Sequence, residues 1–88
     1  MNVNGLTREG VLEKVREHLS TELEVPAEEI TESTRLREDL DADSLDLYEL
    51  VMELEDTYEI SVSEEEAARI ETVGQAVDFV AGRLEVST

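Results

Sequence analysis

Apolar residues at helical spacing recur in three separate segments, with no strand-like alternation between them. This pattern limits the possible folds more than any other feature of the chain. Leu47, Leu50, Val51, Leu54 and Tyr58 fall at i, i+3, i+4, i+7 and i+11, lining one face of a helix from Ser44 to about Tyr58. Val73, Ala76, Val77, Val80, Ala81 and Leu84 repeat the pattern near the end, and Val11, Leu12, Val15 and Leu19 near the beginning. Three amphipathic helices cannot each bury a stripe alone, so the spacing predicts a small helical bundle.

Cap residues set the boundaries. Thr7 is a plausible cap for a first helix running to about Glu22, and Met1 to Leu6 reads as a loose leader. Ser63-Glu64-Glu65-Glu66 is a capping-box pattern opening a short helix to about Ile70. Thr72-Val73-Gly74-Gln75 is a second such box, starting a helix to about Leu84 with Glu85 to Thr88 fraying. From Leu23 to about Ala42 the periodicity lapses. Val25-Pro26-Ala27-Glu28-Glu29-Ile30 fits one short turn, and Val25, Ile30, Leu36 and Leu40 are spaced to anchor a long loop across the bundle. The expected architecture is all-α: a four-helix bundle of three longer helices, one short helix and a long first loop, in a single domain over 1–88 with its core in about 7–84.

Composition narrows the functional classes. Seven basic residues against 24 acidic ones give a formal charge of −17 over 88 residues. Such a field repels nucleic acid and anionic membranes and attracts basic protein surfaces. The periodic 40% hydrophobic content argues against an acidic disordered chain. Crowded carboxylates in so small a body are expected to have raised pKa values and to repel one another. Cysteine is absent, which removes disulfides, thiolate metal sites and a cysteine nucleophile. No apolar run approaches the roughly 20 residues that span a membrane, and the N-terminus lacks a signal-peptide core; the cytoplasm is the expected compartment.

The chemistry centres on Leu40-Asp41-Ala42-Asp43-Ser44-Leu45-Asp46. Asp43 is a good N-cap, leaving Ser44 as the first helical residue with a hydroxyl the cap does not need. An anion attached there would meet the unpaired N–H groups and dipole of the helix start. Asp46, Glu49, Glu53 and Asp56 lie opposite the apolar stripe of this helix, with Leu45, Met52 and Tyr48 projecting among or beside them. Exposed apolar side chains rimmed by acids point to a docking surface.

The run Glu38-Asp39-Leu40-x-Ala42-Asp43-Ser44-Leu45-Asp46-x-x-Glu49-Leu50-Val51-Met52-x-Leu54-Glu55 resembles the acyl carrier protein family, whose attachment motif reads Asp-Ser-Leu. Val25 to Ile30 upstream and Ile70-x-Thr72-Val73-Gly74-Gln75-Ala76-Val77 downstream resemble its flanks, so the likeness covers about 7–84. Three positions depart from the family pattern. Asp41 stands where glycine is usual, Leu36 where an aromatic is common, and Tyr48 in place of a small aliphatic, which bears on partner choice.

The resemblance implies a 4′-phosphopantetheine arm on Ser44, delivered from coenzyme A by a holo-carrier synthase or other phosphopantetheinyl transferase. Asp43 flanks the attachment point. Acyl intermediates would be held as thioesters and passed between enzymes of fatty-acid or polyketide-type synthesis. Leu45, Asp46, Tyr48, Glu49, Met52, Glu53 and Asp56 would present the docking face to basic patches on acyltransferases, ketosynthases, reductases and dehydratases. A monomer without catalytic or metal residues is implied. Acyl chains would tuck between the helices, against parts of the Leu50, Leu54 and Ile70 stripe.

Other readings compete. Ser44 with His18 lacks the orienting partner that nucleophilic catalysis requires, and His18 reads as a surface or boundary residue. Asp41, Asp43 and Asp46 lack the further oxygens, glycine and terminal glutamate of a calcium loop. A peptidyl carrier usually has glycine before its serine. An unmodified acidic interaction module is the alternative from a different class.

Overall fold

The computed structural model describes residues 7–84; the expected leader and the frayed end lie outside them. Helix α1 spans Arg8–Leu23, α2 Ser44–Tyr58, α3 Glu64–Ala68 and α4 Val73–Leu84. A single 3-10 turn, Ala27–Glu29, interrupts the long loop. Each helix start follows its cap. The Thr7 hydroxyl accepts from the Gly10 N–H at 3.0 Å. Ser63 and Glu66 form the expected box, and the Gln75 side chain accepts from the Thr72 N–H at 3.0 Å while its own N–H donates to the Thr72 hydroxyl at 3.1 Å. Two helix ends use a left-handed residue that is not glycine, Glu24 at φ 57° and Glu59 at φ 55°.

One hydrophobic cluster joins the elements. Val11, Val15 and Leu19 of α1 meet Val73, Ala76, Val77 and Val80 of α4, with Leu50 and Leu54 of α2 closing the third side. Leu12, Leu47, Tyr58 and Leu84 are only partly buried at its edge.

The long loop is held by backbone pairing as well as by side chains. Ile30 and Leu36 are buried in the core, and Val25 and Leu40 pack against it. Residues 32–36 run antiparallel to the 71–74 segment. The Leu36 N–H donates to the Glu71 carbonyl at 2.9 Å, the Val73 N–H to Thr34 at 3.0 Å, and the Gly74 N–H to Glu32 at 2.8 Å. A Cβ on Gly74 would stand 3.0 Å from the Glu32 carbonyl oxygen, so a side chain there would crowd this pairing. Buried backbone groups in an irregular segment must find partners, and here they find them in the linker before α4.

The basic residues in α1 are consumed internally. Arg8 clamps Glu32 at 2.6 Å and Asp78 at 2.7 Å, Lys14 faces Glu53 at 3.5 Å, and Arg16 pairs with Glu13 and donates to the Ala27 carbonyl. At the other end Arg83 pairs with Glu66 and lies over the Phe79 ring.

Candidate functional site

The long loop closes on itself just before α2. The Leu36 carbonyl accepts from the Ala42 N–H at 3.0 Å, and Ala42 is buried. Asp41 takes a left-handed conformation at φ 58°, which explains the usual glycine there; aspartate is among the few other residues that tolerate it. The chain thus turns at Asp41, buries Ala42 and enters α2 at Asp43.

Asp43 is the cap. One of its carboxylate oxygens accepts from the Asp46 N–H at 2.9 Å, and the Asp46 carboxylate accepts from the Asp43 N–H at 3.2 Å. This is a capping box with aspartate in the returning position. The Asp46 N–H is the main cause holding the Asp43 carboxyl below its usual value. Ser44 makes no cap contact and is exposed. Its Oγ accepts one hydrogen bond, from the Arg37 guanidinium at 3.3 Å. Sequence reading passed over Arg37, which lies in a loop where no periodicity places a side chain.

The outer face of α2 carries Leu45, Tyr48 and Met52, at 62%, 60% and 50% exposure, with exposed Asp56 beyond them. Glu49 and Glu53 border this ridge on the side toward α1 and are half-buried. Glu53 faces Lys14. Hydrogen bonding with Glu22, then repulsion between the two carboxylates, pushes the Glu49 carboxyl up; the His18 imidazole acts in the opposite sense. His18 is half-buried at this border, with an enclosed Nε2 that has no hydrogen-bond partner among the described residues.

A cleft of about 230 Å³ opens between α2, α3 and the loop, lined by Leu47, Ala67, Ala68 and Ile70, with Arg35, Arg37, Glu38 and Glu71 also around it. Ile70 lines this cleft, whereas Leu50 and Leu54 lie in the core, 1% and 2% exposed.

The expected crowding of carboxylates needs correction. Glu32, Asp39, Asp43 and Glu66 sit below their usual values, because Arg8, the Arg35 N–H, the Asp46 N–H and the Ser63 N–H respectively bind the charged forms. Glu49 alone is shifted upward among the carboxyls whose shift is resolved.

The family model for the phosphopantetheine attachment site matches residues 13–80. The chain belongs to the acyl carrier protein family. An acyl carrier protein of Rubrobacter xylanophilus is 47% identical over 75 residues, covering 85% of this chain and 93% of that relative. One from Lactobacillus johnsonii is 36% identical over 75 residues, with 85% and 94% covered. A solved acyl carrier protein structure from Enterococcus faecalis superposes with a TM-score of 0.77 at 42% identity, covering 88% of this chain and 98% of that one. Its family makes this chain a carrier and not a catalyst, with 4′-phosphopantetheine as its prosthetic group. It works with the transferase that installs the arm and with enzymes of fatty-acid synthesis. Among the described residues no helix is long and apolar enough to cross a membrane.

Proposed function

We propose that Ser44 bears the arm, and that residues 1–88 form a single carrier domain, with its core in about 7–84, acting as a cytoplasmic monomer. One observation carries the assignment: an exposed serine hydroxyl at the start of α2 that the cap does not use. The group fits there. A helix start bordered by a guanidinium accepts an anion, and an exposed Oγ is open to a transferase. When bound, the arm supplies the thiol that a cysteine-free chain lacks.

The chain's own residues present and address that arm. Asp43 and Asp46 fix the first turn of α2, so Ser44 projects from a rigid support. The ridge of Leu45, Tyr48 and Met52, with Asp56 and the bordering Glu49 and Glu53, is the docking face for basic patches on acyltransferases, ketosynthases, reductases and dehydratases. Asp46 contributes charge there while its carboxylate serves the cap. The family match disfavours the unmodified acidic module.

The test is intact mass after incubation with coenzyme A and a broadly competent phosphopantetheinyl transferase. One arm should add to the native chain and none to Ser44→Ala, whose melting curve should overlay the parent's because Asp43 is the cap. An arm on Ser44→Ala would refute the assignment.

A further inference from the structure

In so acidic a chain a cation without an acidic partner is unusual. Among the described residues Arg8, Lys14, Arg16, Arg35 and Arg83 are all ion-paired, whereas Arg37 and Arg69 are not. Arg37 has acids beside it in sequence, but neighbouring Arg35 takes both Glu38, at 2.5 Å, and Asp39, at 3.5 Å. The Arg37 guanidinium donates to the Ser44 Oγ at 3.3 Å instead. Its position is built into the fold. Leu36 is buried and bonded to Glu71 just before it, and the Ala42 N–H returns to the Leu36 carbonyl just after. Arg37 also lines the cleft between α2 and α3.

We propose that Arg37 is the positioning residue for the phosphate carried on Ser44, serving as its counter-ion at the mouth of that cleft. The proposal rests on the reading of Ser44 as the attachment point. Modification there adds an anion next to Asp43 and near Asp41 and Asp46, where repulsion opposes it. The unpaired guanidinium already beside Oγ offsets that repulsion, and its planar fork suits two phosphate oxygens at once. The ion pair would restrain the root of an arm whose outer part must stay mobile.

The experiment compares the modified native chain with modified Arg37→Gln, Arg37→Lys and, as control, Arg69→Gln, each verified by intact mass. Arg69 is exposed and does not line the cleft. Two quantities are read: the phosphorus-31 chemical shift at low and high salt, and the melting temperature with and without the arm. The native chain and Arg69→Gln should share one shift that high salt moves toward that of Arg37→Gln, and Arg37→Lys should fall between. Adding the arm should lower the Arg37→Gln midpoint by roughly 2–4 °C more than the native one, as expected for one exposed ion pair in a domain of this size. Identical shifts and identical midpoint changes in Arg37→Gln and Arg69→Gln would overturn the role of Arg37 while leaving Ser44 as the attachment point. A native chain that takes up no arm would overturn both.

Discussion

Leu36→Ala should loosen the site without touching it. Leu36 is fully buried, and its backbone bonds both the linker before α4 and Ala42 at the entrance to α2. Removing three side-chain carbons forfeits about 2.4 kcal/mol of transfer free energy at roughly 0.8 kcal/mol per methylene. The residual cavity adds to this, giving an expected loss of about 3 kcal/mol, inside the usual range for such truncations. A body of this size has a total stability of roughly 4–12 kcal/mol, and self-repulsion favours the lower part of that range. At roughly 4–8 °C per kcal/mol the midpoint should fall by about 12–24 °C. Leu50→Ala, at 1% exposure in α2, is the comparison, because its cost should be similar. What separates the two is local. Hydrogen exchange of the Ala42 amide should accelerate more in Leu36→Ala, and transfer of the arm should slow at a temperature where both variants are folded. A midpoint within about 3 °C of the parent would show that Leu36 does not pin the loop. Equal Ala42 protection in the two variants would show that the loop holds the α2 start by other means.

The titration shifts carry opposite signs. Glu32, Asp39, Asp43 and Glu66 have lowered folded values, so their contribution is complete above the ordinary carboxylate range and is lost as pH falls through those values. Glu49 has a raised value, so its contribution is present below its ordinary value and lost as pH rises through the folded one. Melts should therefore show stability level or slightly rising from about pH 7.5 to 5.5, then falling below about pH 4; a fall between 7.5 and 5.5 would contradict these signs. Magnesium chloride at pH 7.5 should raise the midpoint, since oxygens of Glu22, Asp46 and Glu49 lie within 4.8 Å of one another, and a flat response would remove the case for repulsion. Gly82→Ala has open space around its new Cβ and should gain about 0.5 kcal/mol, or roughly 2–4 °C, whereas Gly74→Ala should show no gain because Glu32 crowds it. Neutralising Glu49 and Glu53 to glutamine should slow association with the transferase more than neutralising Glu64 and Glu65, by stopped-flow at low salt. Glutamine is preferred to lysine because a lysine at 53 would face Lys14.

The sequence by itself determined the helices, their caps and the position of the candidate serine. These are local matters. Apolar spacing selects the face of a helix, and Asp43, Ser63 and Thr72 announce the first turns through bonds spanning three residues. The exposed ridge of Leu45, Tyr48 and Met52 follows from the same geometry once the opposite stripe is buried. Tertiary structure decided which charges distant in sequence meet. Arg8 reaches Glu32 and Asp78, 24 and 70 residues away, and Arg37 reaches Ser44 across a loop whose path depends on pairing with residues 71–74. It also drew Glu49 and Glu53 toward α1 and lowered the Glu32 carboxyl pKa through Arg8, whereas the lowered values of Asp39, Asp43 and Glu66 come first from backbone N–H groups three or four residues away. Helical spacing gives the direction of a side chain around its own axis. It does not give the neighbour that waits there, because that neighbour is positioned by how helices and loop pack against one another.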